Sequence, residues 1–178
     1  MTAHAGAEAS AWVRRWSHLL AADASVLDVA CGSGRHLRWF AERGARVTGL
    51  DRDAAAVAAS QGLGRALVAD LERSPWPLAG ERFDAVVVTN YLWRPLMPSL
   101  LASLADGGVL IYETFALGNE AFGRPSNPDF LLRPGELLDV CRGLHVVAYE
   151  DGVEGAPLRR VQRIVAVNSA AADARHRL

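Results

Sequence analysis

The stretch Val26-Leu27-Asp28-Val29-Ala30-Cys31-Gly32-Ser33-Gly34-Arg35, continued through Gly44 to Arg46-Val47-Thr48-Gly49-Leu50-Asp51, decides the fold. Ser25 to Ala30 is an apolar run broken by one carboxylate and reads as a buried strand, with Gly32 and Gly34 forming a tight turn after it. The residues from Arg35 to about Arg43 read as a helix that Gly44 ends, and Arg46 to Asp51 as a second strand. Strand, glycine turn, helix and strand make one unit of a parallel sheet.

The same alternation runs outward in both directions. Upstream, Glu8 to Ala21 puts Ala11, Trp12, Trp16, Leu19 and Leu20 near one helical stripe. Downstream, Asp53 caps an alanine helix reaching about Gln61, Arg65 to Ala69 is a third strand, and the valine-rich Phe83 to Thr89 a fourth, buried on both faces. Leu92 to Ala105 is helical, but Pro95 and Pro98 make its first turns irregular or delay its start past Pro98. Gly107-Gly108 turns into a fifth strand, Val109 to Thr114, and Pro134 to Arg142 is a short helix. Leu144 to Tyr149 and Gln162 to Val167 are the last strands, joined by the turn-rich Asp151 to Arg160 and able to pair antiparallel. Between them and the fifth strand lies Phe115 to Arg133, 19 residues with no clear period. A loop that long inside a compact domain usually has a task, such as covering a site.

The chain of 178 residues is 51% hydrophobic and 22% charged, a globular composition that can bury about 70% of its unfolded surface in one core. One domain is expected over residues 1–168, with an N-terminal helix in 1–24, a core in 25–168 and an alanine-rich frayed tail from Ser169 to Leu178. The net charge is −1, from 19 basic residues, all arginine, against 20 acidic ones, so no overall basic field draws in nucleic acid. No apolar run is long enough to span a membrane, and Met1 to Ser10 lacks the basic-then-apolar pattern of a signal peptide, so a cytoplasmic protein with no membrane contact is expected. Two cysteines, Cys31 and Cys141, make no disulfide framework, and the five histidines lack ligand spacing, so no metal is expected.

The chemistry sits around the turn. Gly32 and Gly34 have no Cβ to hold a ligand off the backbone, and the helix start beyond them offers free N–H groups. Asp51, 17 residues after Gly34, lies at the carboxyl end of the second strand, where a carboxylate can accept hydrogen bonds from both hydroxyls of a ribose. A dinucleotide fingerprint would want a third glycine where Leu37 stands, which disfavours a dehydrogenase. Asp28, two residues before the turn, would repel a pyrophosphate but suits a ligand with an ammonium group. An adenosine at one end and a free amino acid at the other fits both carboxylates, and S-adenosylmethionine has that shape. Singly, each residue has a plain structural reading: Gly32 and Gly34 a turn, Asp28 a satisfied buried acid, Asp70 a helix cap, Asp51 a turn acid beside Arg52. Their order carries the argument.

VLDVACGSGRHLRWFAERGARVTGLD (Val26 to Asp51) resembles the first motif of the class I S-adenosylmethionine-dependent methyltransferases. The likeness continues through Val68 to Leu71, Phe83 to Asn90 and Leu104 to Leu110, and over the whole chain it is most like small bacterial members of the tellurite-resistance and thiopurine methyltransferase kind. Ala30 replaces the first of the three glycines often found in that motif. The resemblance implies an α/β, Rossmann-like sheet of seven mostly parallel strands in the order 3-2-1-4-5-7-6, the last antiparallel, with helices on both faces. It implies that Ala30, Gly32, Ser33 and Gly34 approach the methionine moiety and that Asp28 lies near its amino group. It further implies that Asp51 with Arg52 takes the ribose, that Asp70 and Leu71 flank the adenine, and that Asn90 falls beside the sulfonium. Arg35, directly after the turn, either meets the cofactor carboxylate or caps the loop.

For catalysis the expected residues are Asn90, Tyr91, Glu113 and Arg124. Asn90-Tyr91-Leu92-Trp93 lacks the Asn-Pro-Pro-Tyr signature of amide and exocyclic-amine methylation. Tyr91, Trp93 and Phe115 read as pocket walls, and Glu113, ending the fifth strand, as the best-placed base. Phe115 to Arg133 is expected to be a lid whose Asn119, Glu120, Arg124 and Asn127 fix a small acceptor while Phe122 and Phe130 exclude water. The expected function is methyl transfer from S-adenosylmethionine to a small-molecule nucleophile, leaving S-adenosylhomocysteine, with acceptor and oligomeric state left open. One alternative is an RNA-directed methyltransferase, which would need Arg14, Arg15, Arg124, Arg133, Arg159 and Arg160 to cluster at the site mouth. The other is a non-catalytic cofactor-binding partner subunit, marked by an exposed apolar patch.

Overall fold

The computed structural model describes residues 8–169 and residue 176. Its seven strands are β1 (Ser25–Val29), β2 (Arg46–Asp51), β3 (Arg65–Val68), β4 (Phe83–Thr89), β5 (Leu104–Phe115), β6 (His145–Glu154) and β7 (Arg159–Val167). They form one sheet in the order β3-β2-β1-β4-β5-β7-β6, as expected, with β7 antiparallel to both its neighbours and the other pairs parallel.

Period-two alternation divides the buried residues between two faces. Leu27, Val29, Val86, Val88, Leu110 and Tyr112 meet helices α4 (Met97–Ala102) and α5 (Glu136–Val140). Val26, Val87, Val109, Ile111 and Val165 meet α1 (Ala11–Trp16) and α2 (Arg35–Ala41) through Trp12, Trp16, Leu37 and Phe40. A fifth helix, α3 (Ala54–Ser60), is capped by Asp53 as read and packs on β2 and β3. The carboxyl ends of β1, β2, β3 and β4 therefore share one rim.

Several boundaries differ from the sequence reading. The first helix starts after Ser10, whose side chain accepts from the N–H groups of Trp12 and Val13, and gives way to a 3-10 turn at Ser17–Leu19. Ser10 is fixed from outside the helix, by Glu113 and His36, and that decides the start. Leu104 and Ala105, expected in a helix, open β5, and Gly107-Gly108 lies inside the strand where the register shifts past Phe83. A Cβ on Gly108 would stand 2.9 Å from the Phe83 carbonyl, so the close approach requires glycine there.

α4 begins at Met97 with Pro98 in its first turn, after a 3-10 turn at Arg94–Leu96. The expected turn from Asp151 to Arg160 shrinks because Arg160 pairs with Asp151, and Arg159 and Arg163 with Glu154, across the β6–β7 ladder. Of the proposed tail, residues 170–175 and 177–178 lie outside the described residues, as do residues 1–7 of the proposed N-terminal segment.

Candidate functional site at the strand ends

The turn between β1 and α2 is held by backbone hydrogen bonds from Cys31 N–H to Leu50 O and from Gly34 N–H to Cys31 O. Ala30, Gly32 and Gly34 all adopt positive φ, at 56°, 52° and 76°. The two glycines serve different ends. A Cβ on Gly32 would meet nothing within 4 Å, so this backbone faces open space, whereas one on Gly34 would stand 2.5 Å from Ser60 Oγ. Gly34 is thus also needed for packing against α3, a demand the sequence expectation did not include.

Asp51 has a structural task in the turn. Its Oδ2 accepts the Gly32 N–H at 2.7 Å and its Oδ1 the Asp53 N–H at 2.9 Å, so it ties the turn to the end of β2. Ser33 is exposed on the turn. The buried Cys31 thiol is pushed up to about 12 by burial, with the carboxylates of Asp28 and Asp51 adding to it, which keeps it protonated and non-nucleophilic.

Beneath the turn lies an unusual carboxylate. Asp28 is buried, and neither of its oxygens has a hydrogen-bond partner. His36 Nδ1 stands 3.6 Å from Oδ2, while His36 Nε2 accepts the Ser10 N–H at 3.2 Å. A buried acceptor left without a donor is costly to a fold and suits a site that receives a donor from outside. Arg35 is half-buried, with Nη2 3.4 Å from Thr89 Oγ1 at the end of β4.

Beside the turn is a cleft of about 270 Å3 lined by Ala30, Asp51, Arg52, Asp70, Leu71 and Tyr91, residues singled out in the sequence. Ala69, Glu72 and Phe130 complete it. Asp70 Oδ1 accepts the Glu72 N–H at 3.1 Å, and the Tyr91 hydroxyl is buried without a partner. Burial pushes that hydroxyl up to about 12, helped by Glu72 and Asp70, so it stays a neutral donor. Phe130 was expected over an acceptor and instead stands in the wall shared with Asp51 and Asp70. No local signal announces this, because the loop that carries it is placed by contacts from distant elements.

The catalytic expectations fare unevenly. Asn90 is exposed at φ 54°, a strained backbone for a non-glycine residue, with its N–H on Glu113 O at 2.9 Å. Glu113 is not placed as a base: its Oε1 accepts the Ser10 hydroxyl at 2.8 Å, its Oε2 pairs with Arg163 at 3.0 Å, and it does not line the cleft. Its carboxylate anchors α1 and β7 to the sheet. In the loop, Asn119 donates to Pro125 O and accepts from Arg160 N–H, Glu120 accepts from Gly118 N–H, and Asn127 from Asp129 N–H. Glu120 and Asn127 hold the loop's own backbone and Asn119 also ties the loop to β7, so their polar groups are engaged within the fold; of the four, only the exposed Arg124 has its side chain unengaged among the described residues. Trp93 packs partly buried against the core and Phe115 ends β5.

Among the described residues no group of three or more His, Cys, Asp or Glu could hold a metal ion, and no helix is long and apolar enough to cross a membrane.

A model of the methyltransferase domain family matches residues 26–108, from β1 to the glycine pair of β5. The malonyl-[acyl-carrier protein] O-methyltransferase of Serratia marcescens is 34% identical over 103 residues, 53% of this chain and 39% of that protein, so the chain spans well under half of the relative's length. The crystal structure of TehB from Haemophilus influenzae superposes with a TM-score of 0.72 at 17% identity, over 89% of this chain and 62% of that one. A TehB-like SAM-dependent methyltransferase from Corynebacterium glutamicum gives 0.65 at 22%, over 91% and 89%. An S-adenosylmethionine dependent methyltransferase from Mesorhizobium loti gives 0.68 at 18%, over 89% and 98%. At these identities the likeness to the solved structures is one of fold. Residues 26–108 match the methyltransferase domain family, and the sheet built around them has the fold of solved S-adenosylmethionine-dependent methyltransferases.

Proposed function

We propose that the chain binds S-adenosylmethionine at the turn and in the cleft beside it, and catalyses methyl transfer to a small-molecule nucleophile by in-line displacement. The observation that carries this is Asp28: a buried carboxylate with two unpartnered oxygens directly under the glycine turn is what an incoming ammonium group needs. In this reading Asp28 receives the amino group, Arg35 the carboxylate, Asp51 the ribose, and Asp70 and Leu71 flank the adenine. Ala30, Gly32 and Ser33 offer the backbone of the turn, Arg52 and Tyr91 border the cleft, and Asn90 stands at the end of β4 beside the reacting atoms.

When bound, the cofactor supplies a methyl group on a positively charged sulfur. The chain supplies alignment and exclusion of water. With Glu113 engaged by Arg163 and Ser10, the reading assigns no general base and takes the acceptor to arrive as a nucleophile. A small acceptor is favoured over RNA by the arginines. Arg14 pairs with Glu8, Arg15 with Glu150, Arg133 with Glu136, Arg159 with Glu154 and Arg160 with Asp151, which leaves only Arg124 of the six free for phosphate. A cytoplasmic enzyme is part of this reading.

The test is titration of the purified chain with S-adenosylhomocysteine, followed by labelled methyl transfer to small thiols, chalcogen oxyanions and bulk RNA. Binding plus transfer to a small nucleophile is expected. Failure to bind sinks the reading, transfer to RNA alone overturns the acceptor class, and binding without any transfer is the mark of a partner subunit.

A further inference from the structure

We infer that Arg94, which the sequence reading passed over, is a positioning residue of the nucleoside cleft: by clamping the loop on either side of Phe130 it holds that ring as the cleft's outer wall. The inference rests on the reading of the cleft as the place of the cofactor's adenosine.

Arg94 opens the 3-10 turn after β4, three residues beyond Tyr91. Its Nη1 donates to Asp129 O at 2.8 Å and its Nη2 to Leu131 O at 2.9 Å, the two carbonyls that bracket Phe130. The same guanidinium grips Glu136 with two bonds, Nε to Oε1 at 2.6 Å and Nη2 to Oε2 at 3.0 Å. Glu136 is buried and in turn accepts the Arg133 N–H at 2.8 Å. A planar fork with fixed donors can satisfy two carbonyls and a carboxylate together; a lysine in that place offers one rotating point of attachment.

The clamp divides the long loop into two unlike halves. Residues 128–137 are fastened to the strand exit by Arg94 and to β7 by Gln162, which donates to Arg133 O and accepts from Leu137 N–H. Residues 120–127 are almost all exposed and meet the rest of the fold through Asn119. Phe130 lies in the fastened half. It is 43% exposed, yet it lines the cleft together with Asp51 and Asp70. A planar base covers such a ring, removing apolar surface from water on both partners. Tyr91, also in the cleft's lining, is held at its own carbonyl by the Tyr112 hydroxyl at 2.9 Å. The strand exit from Tyr91 to Arg94 thus sets Tyr91 directly and Phe130 through the clamp.

Calorimetric titration of the full chain with S-adenosylhomocysteine and with 5′-methylthioadenosine, which lacks the amino-acid end, tests this. Arg94→Met and Phe130→Leu should each weaken both probes five- to tenfold and by the same factor, and the double variant should bind no more than about twofold more weakly than either single one. Arg94→Lys should fail to rescue. Multiplied losses in the double variant, or wild-type affinities in a folded Arg94→Met, would overturn the inference. Phe130→Leu changes an exposed side chain, so unchanged affinities there overturn it even if Arg94→Met does not fold. A wild-type chain that binds neither probe removes the cofactor reading, and the inference with it, whereas a wild-type chain that binds both isolates the failure to Arg94.

Discussion

His36 holds its Nδ1 3.6 Å from Oδ2 of Asp28, and the pair is buried between β1 and α2. The Ser10 N–H on Nε2 makes that nitrogen the acceptor, so the neutral ring turns its remaining proton towards Asp28. The distance is too long for a hydrogen bond. Asp28 is thereby left with a facing dipole and no bonded donor.

Asp28→Asn should therefore separate stability from binding. Removing an unpartnered buried charge should leave the ligand-free melting temperature unchanged or raise it, while affinity for S-adenosylhomocysteine falls at least tenfold. Affinity for 5′-methylthioadenosine should stay within about twofold, since that probe brings no ammonium group. Thermal melts with each ligand give all three numbers, and a drop in ligand-free stability with intact binding would make Asp28 a structural acid.

The glycines of the turn should respond in opposite ways. Gly32→Ala puts its methyl into open space and should keep most of the fold, with about 1–2 kcal/mol of left-handed backbone strain, while weakening the cofactor product. Gly34→Ala adds the same strain and a 2.5 Å approach to Ser60 Oγ, so it should destabilise more, and Ser60→Gly in the same chain should restore part of the loss. Denaturant melts of the three variants decide the matter.

Asp51→Ala should lower S-adenosylhomocysteine affinity at least tenfold, as expected for losing a charged acceptor at about 1.5–3 kcal/mol per bond. Because Asp51 also holds the N–H groups of Gly32 and Asp53, the variant should melt earlier than wild type. Unchanged affinity in a folded variant would remove Asp51 from the site.

Acid should loosen the Arg94 clamp. Burial alone would raise the Glu136 carboxyl, but hydrogen bonds from Arg94, from the Arg133 N–H and from the Arg133 side chain outweigh it and hold it at about 2, against 4.5 ordinarily. A carboxyl lower in the folded state than in the unfolded one stabilises fully above 4.5 and loses that contribution as pH falls towards 2. The stability difference between wild type and Glu136→Gln should shrink across that window; a difference constant from pH 6 to pH 2.5 would contradict the assignment.

Arg124→Ala should reduce transfer to the true acceptor at least tenfold and leave affinity for the cofactor product within about twofold, because Arg124 lies in the exposed half of the loop, away from the cleft. Rate and calorimetry on one preparation check both. Loss of neither would put the acceptor elsewhere.

The sequence by itself determined the seven strands, the glycine turn and the places of the acids Asp28, Asp51 and Asp70. Each is written in signals carried by neighbours in the chain: valine runs, a two-residue alternation, glycines where φ must be positive, an acid at a strand end. Only the tertiary structure decided what those groups touch. Glu113 looked like a base at a strand end until Ser10, 103 residues away in the chain, and Arg163, 50 away, took its two oxygens. Phe130 looked like part of an acceptor lid until Arg94, on another strand's exit, took its flanking carbonyls and left the ring in the cleft with Asp51 and Asp70. Backbone preference acts over a few residues, whereas a polar side chain is satisfied by whichever donor the completed fold brings within about 3 Å, and no local pattern records that choice.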